Sequence, residues 1–96
     1  MNKEEFKKKF DDVMENTFIF GLEGIVEVLY DGGYILANNY IFKDNYVLLY
    51  VRIIPFYGLY TVISPTGVIS LNSVVDIVTY EGTPEETVKL VRFDER

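Results

Sequence analysis

Carboxylates are the side chains of this sequence that could carry acid–base chemistry, because it contains no His and no Cys. The absence of both residue types excludes imidazole and thiolate metal sites, Ser-His and Cys-His nucleophile pairs, and a histidine pH switch. A glycosidase-like centre would need two carboxylates at a set separation in a cleft. The central segment offers Glu23, Glu27, Asp31, Asp44 and Asp76. Because Glu27 and Asp76 fit outer faces of strands, and Asp31 and Asp44 fit turns, we predict no catalytic residue and no enzyme.

The sequence has no recognisable cofactor or metal motif. The glycines at 21, 24, 32 and 33 have neither the dinucleotide-binding nor the P-loop spacing. The acidic residues do not have the spacing of a calcium loop. We therefore predict no cofactor-binding residue and no metal ligand.

Tyrosine is the other residue type that could form a site, since the chain has eight of them. Tyrosine rings on a small barrel can stack on the bases of a single strand. The candidates are Tyr46, Tyr50, Tyr57 and Tyr60. Only Lys43 and Arg52 are near them to hold phosphates, and a net charge of −6 lacks the basic footprint of a nucleic-acid-binding protein. Tyrosine is also frequent at protein interfaces, so we favour a protein partner over nucleic acid.

An amphipathic helix is predicted over residues 2–16. Asn2 is a suitable N-cap, and Glu5 follows it at the spacing of a capping box. An apolar stripe recurs at i, i+4, i+7 and i+8, formed by Phe6, Phe10, Val13 and Met14. We expect this face to dock on the core.

Short strands are predicted for most of the remaining chain, because Val, Ile, Phe, Tyr and Thr make up 42 of the 96 residues and Ala occurs once. The predicted strands are 25–30, 34–42, 46–54, 59–63, 68–71 and 74–80. Turns are predicted at 31–33, at 43–45 and at 64–67, where Pro and Gly occupy the second and fourth positions that a type I turn prefers. Residues 84–93 combine a helix start with strand composition, and we favour a short helical turn that runs into an extended tail.

These elements predict one mostly β domain of class α+β over residues 1–96. The N-terminal helix precedes a meander over 25–80 and a C-terminal extension over 81–96. Strands that follow each other without long helices between them indicate five or six antiparallel strands in a small barrel or sandwich. No apolar run has the length of a membrane span, and the charged N-terminus lacks a signal-peptide core. We therefore expect a cytoplasmic protein with no membrane association.

Charge is scarce in the middle of the chain, where residues 16–80 contain seven charged side chains. The predicted strand 46–54 also lacks the alternation of apolar and polar residues that a half-buried strand shows. Both of its faces therefore need cover. One face can point into the core, and we expect the N-terminal helix or a partner subunit to cover the other.

The order of elements resembles that of Sm-like proteins, which have a small barrel related to SH3 domains. The segment 24–32 followed by a hydrophobic strand and Asp44-Asn45 is similar to their first motif, and the segment 69–77 is similar to their second. The resemblance implies a bent five-stranded barrel that forms rings through its edge strands and binds single-stranded RNA. By position, Asp44 and Asn45 match the RNA-contacting acidic and amide residues. Three departures stand against RNA binding: Asp44 and Asn45 are adjacent, Ser70-Leu71 replaces Arg-Gly, and the predicted turn at 64–67 splits the fourth strand.

We therefore predict a self-associating protein–protein interaction module that binds its partner through a Tyr-rich, charge-poor sheet. The predicted interface residues are Tyr46, Tyr50, Arg52, Phe56, Tyr57 and Tyr60. One alternative is an Sm-like RNA-binding ring that uses Asp44 and Asn45. Another is a small acidic inhibitor that blocks a basic, nucleic-acid-binding surface of its target.

Overall fold

The fold was analysed in a computed structural model, which describes residues 1–17, 24–53 and 62–80. The described part contains helix α1 and six strands, with a 3₁₀ turn at Leu71–Ser73 before the last strand. The bounds are α1 Lys3–Met14, β1 Val26–Tyr30, β2 Gly33–Ala37, β3 Asn39–Lys43, β4 Tyr46–Ile53, β5 Val62–Ser70 and β6 Val74–Thr79. This architecture confirms the predicted mostly β, α+β class and the N-terminal helix.

Helix α1 begins as its sequence predicts. The Asn2 side chain accepts a hydrogen bond from the Glu5 backbone N–H at 2.7 Å, which satisfies one of the orphan donors of the first turn. Phe6 and Phe10 form its buried face. The intervening lysines and carboxylates stay exposed, so the helix docks by the predicted apolar stripe.

The described strands pair as two antiparallel sheets, ordered β2-β1-β6 and β3-β4-β5. A tight turn at 31–32 joins β1 to β2, and Gly33 follows it with a φ of 141°, a conformation that side-chain-bearing residues rarely adopt. The expected closure of these strands into a barrel stays a prediction.

The prediction of one strand over residues 34–42 is wrong in one respect, because this segment is divided at Asn38 into two strands. Its first half, β2, pairs with β1, whereas its second half, β3, pairs with β4 in the other sheet. The Asn38 side chain is buried and bonds the backbone of Arg52 in β4. Because the Asn38 side chain supplies these hydrogen bonds, the chain can leave one sheet and enter the other at this residue, which has a low strand propensity.

The predicted turn at 64–67 is also wrong, because these residues lie inside the continuous strand β5. Within the described residues β5 pairs only with β4, and Pro65 is tolerated because an edge strand needs no ladder donor on its outer side. The β4–β5 register shifts between Leu49 and Tyr50, as in a β-bulge. There the Thr66 hydroxyl donates to the Leu49 carbonyl at 3.1 Å. The two strands predicted on either side of this turn, 59–63 and 68–71, therefore belong to the single strand β5 over its described range. Residues 59–61 lie outside the described residues.

An aromatic cluster of four rings joins α1 to β3. Phe6 and Phe10 stack with centroids 5.7 Å apart, and Tyr40 and Phe42 meet them edge-on, with the closest pair, Phe10 and Tyr40, at 4.7 Å. Such ring pairs contribute about 0.5–1.5 kcal/mol each beyond the area they bury. The cluster is continuous with the aliphatic core contributed by both sheets. Helix α1 therefore packs on the core-facing side of the sheets.

Tyr40 also ties the helix to β3 through its hydroxyl, which donates to Asp11 Oδ1 at 3.2 Å. Burial, and then the charge and hydrogen bond of Asp11, raise the pKa of Tyr40 to about 12 from the ordinary 10.0. The fold thus favours the neutral ring. The stabilisation that the fold gains from the neutral Tyr40 hydroxyl is complete below pH 10. It is lost as the pH rises towards 12, because Tyr40 ionises in the unfolded chain before it ionises in the folded one.

Tyr40→Phe is expected to be less stable than the wild type at pH 8 by about 0.5–1.5 kcal/mol, because one hydrogen bond is lost. This difference in stability should shrink between pH 10 and 11.5, because the wild type loses stability there as Tyr40 ionises in its unfolded chain, whereas the variant has no hydroxyl to ionise. Urea unfolding at several pH values measures it, with Tyr34→Phe, whose ring is 61% exposed, as the control expected to follow the wild type. A deficit that is constant with pH would contradict the assignment.

Candidate interaction surface

The outer face of the β3-β4-β5 sheet, which points away from the core, is apolar. The register aligns Ile41, Leu48 and Val68 as one aliphatic row across all three strands. Tyr46 and Tyr50 flank this row on β4, and Ile63 lies further along β5 on the same face. We call these residues the outer patch: Ile41, Tyr46, Leu48, Tyr50, Ile63 and Val68.

The outer patch is open to solvent. Its exposed members, Ile41, Tyr46, Ile63 and Val68, have between 53% and 60% of their surface accessible, and Leu48 and Tyr50 are half-buried. On β4, the alternate residues Val47, Leu49 and Val51 are fully buried in the core. The expectation that both faces of this strand are apolar is thus met.

Helix α1 does not provide the missing cover. Its phenylalanines contact Tyr40 and Phe42, whose register partners Leu49 and Val47 belong to the core. The helix therefore lies on the opposite side of β3 from Ile41. Among the described residues, cover of the outer face by the N-terminal helix, one of the two possibilities expected, is therefore not observed.

Few charges border the outer patch. Lys43 and Arg52 are the charged residues of β3, β4 and β5. Arg52 lies on the outer side opposite Ile63 and is half-buried. The Tyr50 hydroxyl donates to Asn39 Oδ1 at 3.3 Å, so this ring is held against the neighbouring strand. The described strands β3, β4 and β5 therefore present a largely apolar face without a carboxylate, on a chain of net charge −6.

Three of the predicted interface residues, Tyr46, Tyr50 and Arg52, lie together on this face. The other three, Phe56, Tyr57 and Tyr60, lie outside the described residues. The sequence prediction missed the aliphatic members of the outer patch, Ile41, Leu48, Ile63 and Val68. Alternation along β3 could have identified Ile41, but its alignment with Val68 depends on a register across three strands.

Asp44 and Asn45, the residues predicted to contact RNA, form the β3–β4 turn. Asp44 has a φ of 55°, and the Asn45 carbonyl accepts the Leu71 N–H at 2.8 Å. This bond places the turn beside the 3₁₀ segment that precedes β6. An open pocket of about 520 Å³ lies there. It is lined by Met1, Asn2, Lys3, Glu4, Asn45, Leu71 and Asn72.

In the central segment, Asp31 and Asp44 lie at turns and Glu27 and Asp76 lie in strands, as expected, and Glu23 lies outside the described residues. Glu27 is half-buried between the buried Val26 and Val28. The register makes Glu27 and Asp76 diagonal neighbours on one face of β1 and β6, about 7–8 Å apart. Asp76 forms an ion pair with Lys9 at 3.8 Å, with both side chains about half exposed.

In residues 1–17, 24–53 and 62–80, no three acidic side chains come together in a way that could hold a metal ion. The described helix is too short and too polar to cross a bilayer.

Asn38 supports this surface from beneath, because it fixes Arg52 of β4. Its Oδ1 accepts the Arg52 N–H at 2.7 Å, and its Nδ2 donates to the Arg52 carbonyl at 2.9 Å. The Asn38 N–H in turn donates to the Tyr50 carbonyl. A buried side chain with 5% of its surface accessible thus bonds both polar groups of one residue.

Asn38→Ala is expected to lower the free energy of unfolding by about 2–3 kcal/mol, because two buried hydrogen bonds lose their partner. Asn38→Asp keeps the acceptor and should lose less. Chemical denaturation measures both, with the exposed Asn72→Ala as the matched control. Equal stability of Asn38→Ala and Asn72→Ala would show that the bend does not depend on this side chain.

Comparison with protein-family models, with curated proteins and with solved structures gave no match. The resemblance to Sm-like proteins therefore stays a prediction from the residues. The function has to be argued from the surface itself.

Proposed function

We propose that this protein is a non-enzymatic interaction module that self-associates through the outer patch. The observation that carries the proposal is the exposed aliphatic row Ile41–Leu48–Val68, flanked by Tyr46 and Tyr50 on one sheet face. Contiguous exposed apolar surface of this kind marks interaction sites on soluble proteins. Tyrosine is enriched in such interfaces because its ring buries apolar area while its hydroxyl keeps a polar partner.

The scarcity of charge on this face allows a second copy as the occupant. The chain carries −6 overall, so two copies repel each other over most of their surface. The three strands of this face contain no carboxylate, and Lys43 and Arg52 are their charged residues. Contact through this face therefore keeps the acidic parts of two copies apart.

The size of the outer patch sets the expected strength of association. Three strands span about 10 Å at a spacing of about 4.8 Å, and the patch extends roughly 20 Å along β4. A contact of this extent is smaller than a standard specific interface, so we expect the association to be weak. Self-association should therefore depend on protein concentration.

Ile41→Lys is expected to weaken self-association at least tenfold, because it places a charge in the centre of the aliphatic row. Tyr34→Lys is the matched control, since it adds the same charge at a similarly exposed residue of the other sheet. Light scattering behind a sizing column, over a range of concentration and salt, measures both. A wild type that is monomeric at every concentration, or equal behaviour of the two variants, would contradict the proposal.

A second candidate function, single-stranded RNA binding by an Sm-like ring, is favoured by one specific observation. The pocket beside the β3–β4 turn brings three amides together with one lysine and one carboxylate: Asn2, Asn45, Asn72, Lys3 and Glu4. Amides can bond base edges, and a lysine can hold a phosphate. The continuity of β5 also supports this candidate, because it removes one departure from the Sm-like pattern. The other two departures, the adjacency of Asp44 and Asn45 and the missing Arg-Gly, still stand against it.

This candidate predicts micromolar or tighter binding of a single-stranded oligoribonucleotide, weakening steeply with salt. Asn45→Ala should reduce the affinity at least threefold, whereas Asn39→Ala, away from the pocket, should not. Fluorescence anisotropy at low salt measures both variants. Absence of binding to the wild type at low salt would remove the candidate.

A further inference from the structure

The C-terminal end of helix α1 carries one of the two sulfur atoms of the sequence, because the chain contains two Met and no Cys. Met14 is the last residue of the helix, and its half-buried side chain packs against the core cluster. A thioether fills such a place as a flexible apolar group. Because part of its surface is accessible, Met14 combines a packing role with access for a small reagent.

Thr17 closes the helix end around Met14. Its hydroxyl donates to the Met14 carbonyl at 2.8 Å, and its N–H donates to the same carbonyl at 3.1 Å. The hydroxyl also lies 3.8 Å from Met14 Sδ. Thr17 is buried, so these contacts lie at the margin of the core and not in solvent. They satisfy a carbonyl that the helix itself leaves without a partner.

The same threonine fixes the start of the first sheet. A Cβ on Gly24 would collide with the carbonyl oxygen and the Cβ of Thr17, so the two backbones touch and glycine is required there. Ile25 and Val26 follow directly and are buried. We call the contact of Met14, Thr17 and Gly24 the joint between α1 and β1. A displacement of the helix end is therefore passed to β1.

Oxidation of Met14 changes the chemistry of this joint. A lone pair of Sδ attacks one oxygen of hydrogen peroxide, the S–O bond forms, the O–O bond breaks, and the other oxygen leaves as water. The sulfur loses two electrons and the peroxide gains them. The product is a polar sulfoxide, which no longer packs as an apolar group. Its oxygen also competes with the Met14 carbonyl for the Thr17 hydroxyl, which already lies beside the sulfur.

We propose that Met14 is a site of oxidative modification by peroxide, and that its sulfoxide loosens the joint between helix α1 and strand β1. The inference goes beyond the proposed self-association and does not depend on the outer patch. Helix α1 closes the core with Phe6 and Phe10, so the modification acts on the stability of the whole fold. Reduction of the sulfoxide to the thioether restores the joint.

The test treats the folded full-length chain with hydrogen peroxide. Peptide mapping by mass spectrometry reports whether Met14 is oxidised in the native state. Amide hydrogen exchange should become at least fivefold faster at the Thr17 N–H, which is bonded to the Met14 carbonyl. It should change less at the Phe6 N–H, which is bonded to the Asn2 carbonyl at the other end of the helix. Urea unfolding should show a folding equilibrium constant that is at least tenfold lower.

Met14→Leu is the matched control, because leucine fills a similar volume and has no sulfur to oxidise. Met1 is then the one remaining sulfur, and peroxide should change neither the stability of this variant nor its exchange at Thr17. Three results would each overturn the proposal: oxidation of Met14 only after unfolding in urea, a sulfoxide at Met14 without faster exchange at Thr17, or an equal loss of stability in Met14→Leu. None of them bears on self-association through the outer patch.

Discussion

The bend at Asn38 is the constraint on which the rest of the described structure depends. One stretch of chain supplies a strand to each sheet, and the side chain of Asn38 replaces the ladder bonds that the bend would otherwise interrupt. The bend directs both sheets towards one core, which helix α1 closes with Phe6 and Phe10. Because the helix is committed to this inner side, it cannot also cover the outer side of β3, β4 and β5.

The candidate function follows from that division of surfaces. Strand β4 is apolar on both faces, and the core uses only one of them. A stable monomer would normally place more charge on the second face than Lys43 and Arg52, the two charged residues that β3, β4 and β5 supply there. Surface of this composition is stabilised by contact with another apolar surface.

Much of this arrangement could be predicted from local sequence. The cap at Asn2, the stripe of Phe6 and Phe10, and the two-faced strand around Tyr50 are short-range patterns. The division at Asn38 and the continuity of β5 through Pro65 could not be predicted, because both depend on which strand lies alongside. For the same reason the sequence predicts the tyrosines of the outer patch but not its aliphatic row, whose members lie on three different strands.

The most direct test of the central claim is an isotope-filtered NOE experiment on an equal mixture of labelled and unlabelled chains at high concentration. It detects contacts between copies and assigns them to individual methyl groups. The expected result is a set of intermolecular NOEs from the methyls of Ile41, Leu48 and Val68, with none from the buried Val47. Intermolecular NOEs that bypass these three residues, or none at all, would show that the outer patch is not covered by a second copy.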